Sequence, residues 1–234
     1  MGFGPLFRRI SGSRPPAPDR PVWAIGDVHG RADLLDRLLE LIRPTPGELV
    51  VTLGDYVDRG PESRSVIERL AGRADTLSLM GNHEAMLVDF LDAPETCGPL
   101  WLRNGGGATL ASYDVAEDSF EATAGALRAA LGSTEAWLRA LPRLWRSGNL
   151  IAVHAALDPA RPPERQDPTT LVWGHPAFDR TARRDGVWVV HGHRIVPEPL
   201  VRSGRISIDT GAFATGRLTA ARIAAGEPVR FVST

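Results

Sequence analysis

The stretch Gly54-Asp55-Tyr56-Val57-Asp58-Arg59-Gly60 directly follows the apolar run of residues 49–53, and this arrangement decides the fold. Two related blocks also follow short apolar runs: Gly26-Asp27-Val28-His29-Gly30 and Gly81-Asn82-His83-Glu84. A buried strand that ends in glycine and a polar side chain places that side chain at the edge of a sheet, so we expect the three blocks to converge. Carboxylate, imidazole and carboxamide groups together favour a hard or borderline divalent cation.

The six histidines of the chain extend this pattern. Two of them, His29 and His83, lie in the blocks, and three others follow further apolar runs later in the chain: His154, His191 and His193. A histidine at the end of a buried strand is well placed to bind a metal, so the repeated arrangement predicts three ligands: His29, His154 and His193. His175 and His191 are more typical of structural histidines.

The composition is that of an ordinary globular protein, with 234 residues of which 43% are hydrophobic and 24% charged. This length accommodates one domain with a substantial core. The formal net charge of -1 gives no indication of a nucleic-acid or membrane partner. Cys97 is the only cysteine, so no internal disulfide can form, and we expect a soluble, cytoplasmic protein.

The first part of the chain alternates strands and helices. Leucines at helical spacing predict a helix over residues 31–43, and Pro61 is a favourable first residue for a helix over 62–70. A third helix is predicted over residues 84–91. With a strand at each apolar run, this order favours parallel βαβ units, and it places the three blocks at the carboxyl ends of the strands.

The later part of the chain changes character. Residues 100–144 are rich in alanine and leucine at helical spacing and predict a helical insertion. Proline, glycine and serine before residue 21 predict a flexible lead-in over 1–20, followed by one catalytic domain over 21–234. Strands are predicted after the insertion, at residues 150–154, 187–191, 206–208, 217–223 and 228–233.

The three blocks and the spaced histidines resemble the phosphoprotein phosphatase branch of the calcineurin-like metallophosphoesterases, and in particular its compact bacterial and phage serine/threonine protein phosphatases. Two more stretches are similar to segments of the bacterial members: Trp101-Leu102-Arg103-Asn104-Gly105-Gly106 and Ile208-Asp209-Thr210-Gly211. The resemblance extends from Val22 onward. It implies an α/β fold, a β-sandwich of two mixed sheets flanked by helices (α-β-β-α), with the helical insertion in the middle.

The resemblance implies two divalent metal ions per chain. We expect Mn²⁺, with Zn²⁺ or iron as chemically reasonable alternatives. Asp55 would bridge the two ions, and a hydroxide activated by both would attack phosphorus in line. The other ligands would be Asp27 and His29 at the first ion, and Asn82, His154 and His193 at the second.

The resemblance also implies residues that act on the substrate. His83 would protonate the departing oxygen, with Asp58 orienting the ring, and Arg59 would bind the phosphoryl oxygens. One stretch departs from the family: Leu171-Val172-Trp173-Gly174-His175 has a histidine where a second phosphate-binding arginine is usual. Either His175 takes that substrate-binding role or a nearby arginine does so: Arg180, Arg183 or Arg184.

The expected activity is phosphomonoester hydrolysis, most directly that of a serine/threonine protein phosphatase with a phosphorylated protein or peptide as substrate. A related branch with similar blocks hydrolyses dinucleoside tetraphosphates, which is the alternative enzyme. An inactive module that binds phosphoproteins is the alternative from another class. The complete set of expected ligand and acid residues argues against this last alternative.

Overall fold

The computed structural model describes residues 14–234, and its strands are short and mostly buried. In chain order they are β1 (Val22–Ile25), β2 (Leu49–Thr52), β3 (Thr76–Ser78), β4 (Leu144–Ser147), β5 (Leu150–Val153), β6 (Trp188–His191), β7 (Leu200–Arg202), β8 (Arg205–Ser207), β9 (Thr219–Ile223) and β10 (Arg230–Ser233).

The helices separate the early strands and fill the middle of the chain. They are α1 (Ala32–Ile42), α2 (Ser63–Ala71), α3 (Asn82–Asp92), α4 (Pro94–Trp101), α5 (Gly107–Ser112), α6 (Phe120–Leu131), α7 (Thr134–Ala140), α8 (Pro168–Trp173) and α9 (Ala212–Thr215). A π-helical turn at Leu102–Gly106 joins α4 to α5, and a 3-10 turn at Pro163–Arg165 precedes α8.

The strands form two mixed sheets of five strands each. The first has the order β10-β9-β1-β2-β3, in which β1, β2 and β3 are parallel and β9 runs antiparallel to β1. The second has the order β4-β5-β6-β8-β7, in which β5, β6 and β8 are parallel. The parallel strands are therefore central in the second sheet, whereas in the first they occupy the middle and one edge, at β3.

The two sheets pack face to face. Alternate residues of β1, Val22 and Ala24, lie in one apolar cluster with Leu150 and Ala152 of β5 and Val190 of β6. This cluster is the core between the sheets. Because successive side chains of a strand point to opposite faces, the remaining strand residues pack against helices.

Helices cover the outer faces of the sandwich. Trp23 and Ile25 of β1 share a cluster with buried side chains of α1, α2 and α3. On the second sheet, Ile151 and Val189 pack with Leu171 of α8. The predicted fold class is confirmed: an α/β sandwich of two mixed sheets between helices, with α4 to α7 forming the helical insertion.

Some boundaries differ from the predictions. The helical region begins at Pro94, before its predicted start at residue 100. Residue 144, its predicted end, is the first residue of the strand β4. Helix α3 begins at Asn82, two residues before the predicted start. The Glu84 side chain accepts the backbone N–H of Gly81, which caps the helix and draws Asn82 and His83 into its first turn.

The predicted lead-in lies partly outside the described residues, which begin at residue 14. Residues 14–20 run beside the β4–β5 hairpin. Ala17 N donates to Asn149 Oδ1 at 2.6 Å, and Asp19 N donates to Ser147 Oγ at 2.8 Å. Among residues 14–234 there is no helix with the length and apolarity needed to span a bilayer.

Candidate metal centre

The three blocks meet at the carboxyl end of the first sheet, because β1, β2 and β3 are parallel neighbours. The N–H groups of Val28 and His29 both donate to the backbone carbonyl oxygen of Asp55, at 3.0 and 2.8 Å. His83 N donates to Asp55 Oδ1 at 3.1 Å. The second block therefore holds the first through its backbone and the third through its carboxylate.

The second sheet brings two more histidines to the same place. His154 follows β5 and His193 follows β6, which are adjacent parallel strands. Gly192 N donates to the backbone carbonyl oxygen of His154 at 2.9 Å, and His193 N donates to the carboxylate oxygen Oδ2 of Asp27 at 3.0 Å. The last contact joins a loop of the second sheet to a loop of the first.

Asp55 lies between two groups of side chains that could each hold a metal ion. Its Oδ2 is 3.4 Å from His29 Nε2 and 3.9 Å from His83 Nε2. Its Oδ1 is 3.4 Å from His154 Nε2, and His193 completes this second group. Within each group the ligand atoms lie within 4.8 Å of one another. One buried carboxylate therefore offers an oxygen to each group.

Backbone carbonyl groups orient two of these rings. Nδ1 of His29 lies 2.8 Å from the Val57 oxygen, and Nδ1 of His154 lies 2.9 Å from the Leu53 oxygen. A carbonyl only accepts, so in the neutral ring Nδ1 carries the proton and Nε2 keeps its lone pair. Burial lowers the pKa of His29 to about 3 and also lowers the pKa of His154. Neutral rings of this kind are the form that binds metals.

Asn82 lies beside the second group. Its Oδ1 is 2.9 Å from His154 Nε2 and 2.9 Å from His193 Nδ1. Burial, together with the nearby His154 ring, lowers the pKa of His193 to about 4. His154 Nε2 and the Asn82 oxygen are two acceptors that face each other, and a cation between them would satisfy both. This oxygen and nitrogen donor set fits a divalent cation.

Asp27 is buried next to the backbone of His193 and belongs to neither three-residue group formed by the described residues. Burial, followed by the nearby carboxylates of Asp209 and Asp55, raises the pKa of Asp27 well above its ordinary value. A cation close to these carboxylates would offset their repulsion. Gly192 packs so tightly here that a Cβ at that position would overlap Asp27 Oδ1.

His83, Asp58 and Arg59 form a chain of contacts beside Asp55. His83 Nδ1 donates to Asp58 Oδ2 at 2.7 Å, and Arg59 Nη2 donates to His83 Nε2 at 3.1 Å. Burial disfavours the charged ring, but the carboxylates of Asp55 and Asp58 outweigh it and raise the pKa of His83. The surroundings therefore favour the charged form of this ring, with a proton on both nitrogens.

The sequence reasoning missed the residues that hold Asp58. Thr109 Oγ1 donates to Asp58 Oδ1 at 2.6 Å, and Trp101 Nε1 lies 3.1 Å from both carboxylate oxygens. Trp101 opens a stretch whose resemblance to bacterial phosphatases was visible in the sequence, and that stretch was the available signal. Together Trp101 and Thr109 fix the Asp58 carboxylate behind His83.

Glu84 was also missed as a residue that shapes the site. Its fully buried carboxylate accepts four backbone N–H groups, from Asp55 at 2.8 Å, Tyr56 at 2.7 Å, Val57 at 3.2 Å and Gly81 at 2.9 Å. Burial and the nearby Asp55 raise the pKa of Glu84 to about 7. The side chain fastens the second block to the start of α3.

His175 lies apart from this cluster. Its Nε2 is 3.9 Å from Asp158 Oδ2, and its Nδ1 accepts the N–H of Ala177 at 3.3 Å. Arg183, one of the alternatives, donates to the backbone carbonyl oxygen of Asp158 at 2.9 Å and forms an ion pair with Asp185. Within residues 14–234, neither side chain has a hydrogen bond or ion pair with the predicted metal ligands.

Unusual backbone conformations concentrate at this site. Eight described residues other than glycine have positive φ, and five of them are predicted site residues: His29 (44°), Asp55 (54°), Asp58 (69°), Arg59 (69°) and His193 (63°). Such conformations cost on the order of 1–3 kcal/mol each and persist where surrounding contacts enforce them. Their clustering is typical of a functional site.

Comparison with known proteins gives relatives of two kinds. Serine/threonine-protein phosphatase 2 of Escherichia coli (strain K12) is 39% identical over 88 residues, which are 37% of this chain and 39% of that protein. The symmetrical bis(5'-nucleosyl)-tetraphosphatase of Methylococcus capsulatus is 34% identical over 142 residues, which are 59% of this chain and 44% of that protein. The chain thus spans less than half the length of these curated relatives.

The fold has solved counterparts. A structure assigned provisionally as a diadenosine tetraphosphatase superposes with a TM-score of 0.68 and 24% sequence identity, over 92% of this chain and 95% of the other. The family model for calcineurin-like phosphoesterases matches residues 20–197, which include every predicted metal ligand. Because this match covers well over half of the sequence, the chain belongs to the calcineurin-like phosphoesterase family.

Proposed function

We propose that this chain hydrolyses phosphomonoesters and that phosphoserine and phosphothreonine in proteins or peptides are its substrates. The observation that carries the proposal is the contact chain Asp58–His83–Arg59 beside the shared carboxylate Asp55. His83, although it lies within ligand distance of His29 and Asp55, serves in this proposal as the proton donor, and Asp27 takes its place as a ligand of the first ion. Arg59 supplies a phosphate-binding cation beside them. The 39% identity to a serine/threonine-protein phosphatase supports this substrate class.

Two divalent cations would be held by Asp27, His29 and Asp55 on one side and by Asp55, Asn82, His154 and His193 on the other. When bound, they would lower the pKa of water and screen the charge of the phosphoryl group. We propose Mn²⁺, since the ligands are oxygen and nitrogen atoms of carboxylate, carboxamide and imidazole; Zn²⁺ or iron would also suit them.

Arg59 binds the phosphoryl oxygens in this proposal. Arg59 is an exposed residue, and its Nη2 donates to His83 Nε2 at 3.1 Å. A phosphoryl group offers better acceptors for the charged guanidinium, and its arrival would draw Arg59 away from the ring. His83 Nε2 is then free to carry the proton that its raised pKa favours.

His83 donates that proton to the departing oxygen of the substrate. Asp58 accepts from His83 Nδ1, which fixes the plane of the ring and stabilises its charged form. Thr109 and Trp101 hold Asp58 from behind, so the ring has a single orientation. The acid is therefore positioned through three buried hydrogen-bonding side chains.

Hydrolysis of dinucleoside tetraphosphates is the second candidate function. It is favoured by the 142-residue similarity to a symmetrical bis(5'-nucleosyl)-tetraphosphatase, which covers more of this chain than the phosphatase similarity does. The same cations, acid and arginine would serve both reactions. The candidates differ in what lies beyond the scissile bond, a peptide or a nucleotide.

A substrate comparison distinguishes these functions. We expect the Mn²⁺-loaded protein to cleave phosphoserine and phosphothreonine peptides with a kcat/KM at least about tenfold above that for diadenosine tetraphosphate, a difference of roughly 1.4 kcal/mol in transition-state binding. Phosphate release and nucleotide chromatography measure the two reactions. The reverse order would establish the dinucleotide as substrate, and phosphopeptide binding without any hydrolysis would indicate the inactive module.

The acid role of His83 predicts a dependence on the leaving group. His83→Asn should lower kcat for a phosphoserine peptide by about 10²- to 10⁴-fold, because alkoxide departure needs the proton. The loss should be much smaller for p-nitrophenyl phosphate, whose leaving group needs little protonation. Metal content, measured by mass spectrometry, should stay unchanged. Equal losses on both substrates, or loss of metal, would contradict the acid role.

The close packing at Gly192 predicts a loss of metal binding. In Gly192→Ala the new methyl group would displace the Asp27 carboxylate and the neighbouring His193 loop. We expect weaker Mn²⁺ binding by calorimetry with the fold retained. Gly125→Ala is the matched control, since no atom lies within 4 Å of its Cβ position on α6. Equal Mn²⁺ affinity in both variants would show that Asp27 is not a ligand.

A further inference from the structure

Phe213 touches two functional side chains, and neither the sequence pattern nor the relatives give it a role. The guanidinium carbon of Arg59 lies 4.7 Å from the centre of the Phe213 ring, above its face. The edge-to-face contact with His29 has a centroid distance of 5.3 Å and an interplanar angle of 82°. One aromatic ring thus contacts both the predicted phosphate-binding cation and a predicted metal ligand.

Arg59 needs support from its neighbours. It is exposed, its backbone has a positive φ of 69°, and it forms no ion pair with any residue of the described chain, 14–234. Its backbone N donates to the Gly105 oxygen at 3.2 Å, and a Cβ at Gly105 would lie 3.0 Å from Arg59 Cγ. Backbone and stem are therefore held by the 102–106 turn, and the guanidinium lies against His83 and Phe213.

Phe213 is presented by a well-fixed turn. Helix α9 begins after Gly211 and ends before Gly216, whose φ values of 70° and 71° let the chain reverse at both ends. Thr215 Oγ1 donates to the Thr210 oxygen at 2.8 Å, and Arg31 Nη1 donates to the Ala212 oxygen at 3.1 Å. The backbone that carries the ring is therefore held in place independently of Arg59.

The face of an aromatic ring attracts a cation, and the contact restricts a side chain that otherwise has many rotamers. We infer that Phe213 is a positioning residue that holds the guanidinium of Arg59 in the orientation needed to bind a phosphoryl group. This inference rests on the proposed function, because it takes Arg59 as the phosphate-binding cation. Phe213 itself acts only through Arg59.

The contact is expected to be modest in strength. Cation–π pairs at exposed sites change equilibria by about two- to fivefold. Phe213→Leu should therefore weaken binding of inorganic phosphate to the Mn²⁺-loaded protein by about that factor, while Phe213→Tyr, which keeps the aromatic face, should retain wild-type binding. Metal content should be the same in all three proteins, because His29 loses only an edge contact.

A double-mutant cycle tests the mechanism by calorimetry with inorganic phosphate. In an Arg59→Ala background, Phe213→Leu should have no further effect, because the side chain it positions is gone. Tyr113→Leu is the control: it removes the ring beneath Arg64, a pair of the same kind that contains no predicted site residue, and should leave phosphate binding unchanged.

Each other result would overturn the inference. An equal loss in both backgrounds would mean that Phe213 acts on phosphate binding without Arg59, and loss of metal would mean that it acts through His29. Unchanged binding in Phe213→Leu would mean that the ring does not position Arg59. The cycle measures binding, so it gives an answer even if no phosphopeptide or dinucleotide is cleaved and the proposed function fails.

Discussion

The site depends on one buried carboxylate, that of Glu84, which accepts four backbone N–H groups from two separate loops. Three of these donors are the consecutive residues 55–57, and the fourth is Gly81. Without such an acceptor, buried N–H groups would be left unpaired at a cost of about 1–3 kcal/mol each. Glu84 thereby holds Asp55 in its left-handed conformation and starts α3 at Asn82, so that both side chains face the same centre.

Close packing at two glycines fixes other parts of the site. Gly60 packs so tightly on the first block that a Cβ there would overlap the His29 oxygen, and Gly192 packs in the same way on Asp27. The first contact joins two loops of the first sheet, and the second joins a loop of the second sheet to a loop of the first where the predicted ligands meet. The unfavourable φ angles of Asp58 and Arg59 are tolerated for the same reason, since hydrogen bonds and packing leave their backbone no room to relax.

The sequence predicted the fold well because its signals are local. Each block joins a buried strand to a glycine and a polar side chain, and parallel strands bring such ends together. The residues that the sequence did not reveal contact the site from distant positions along the chain. Trp101 and Thr109 contact Asp58 from 43 and 51 positions away, and Phe213 contacts Arg59 from the far end of the chain. His175 was one of the candidates named from the resemblance to a family pattern, and its neighbour in space, Asp158, was not evident from the sequence.

The central claim is that Asp55 serves two cation sites at once. Equilibrium dialysis against Mn²⁺, followed by metal analysis, tests it in the wild-type protein and in Asp55→Asn and Asp27→Asn. The account predicts two equivalents of metal per wild-type chain, weakening of both sites in Asp55→Asn, and weakening of mainly one site in Asp27→Asn. It would be contradicted if Asp55→Asn kept one of the two ions with unchanged affinity, or if the wild-type protein were fully active with a single equivalent.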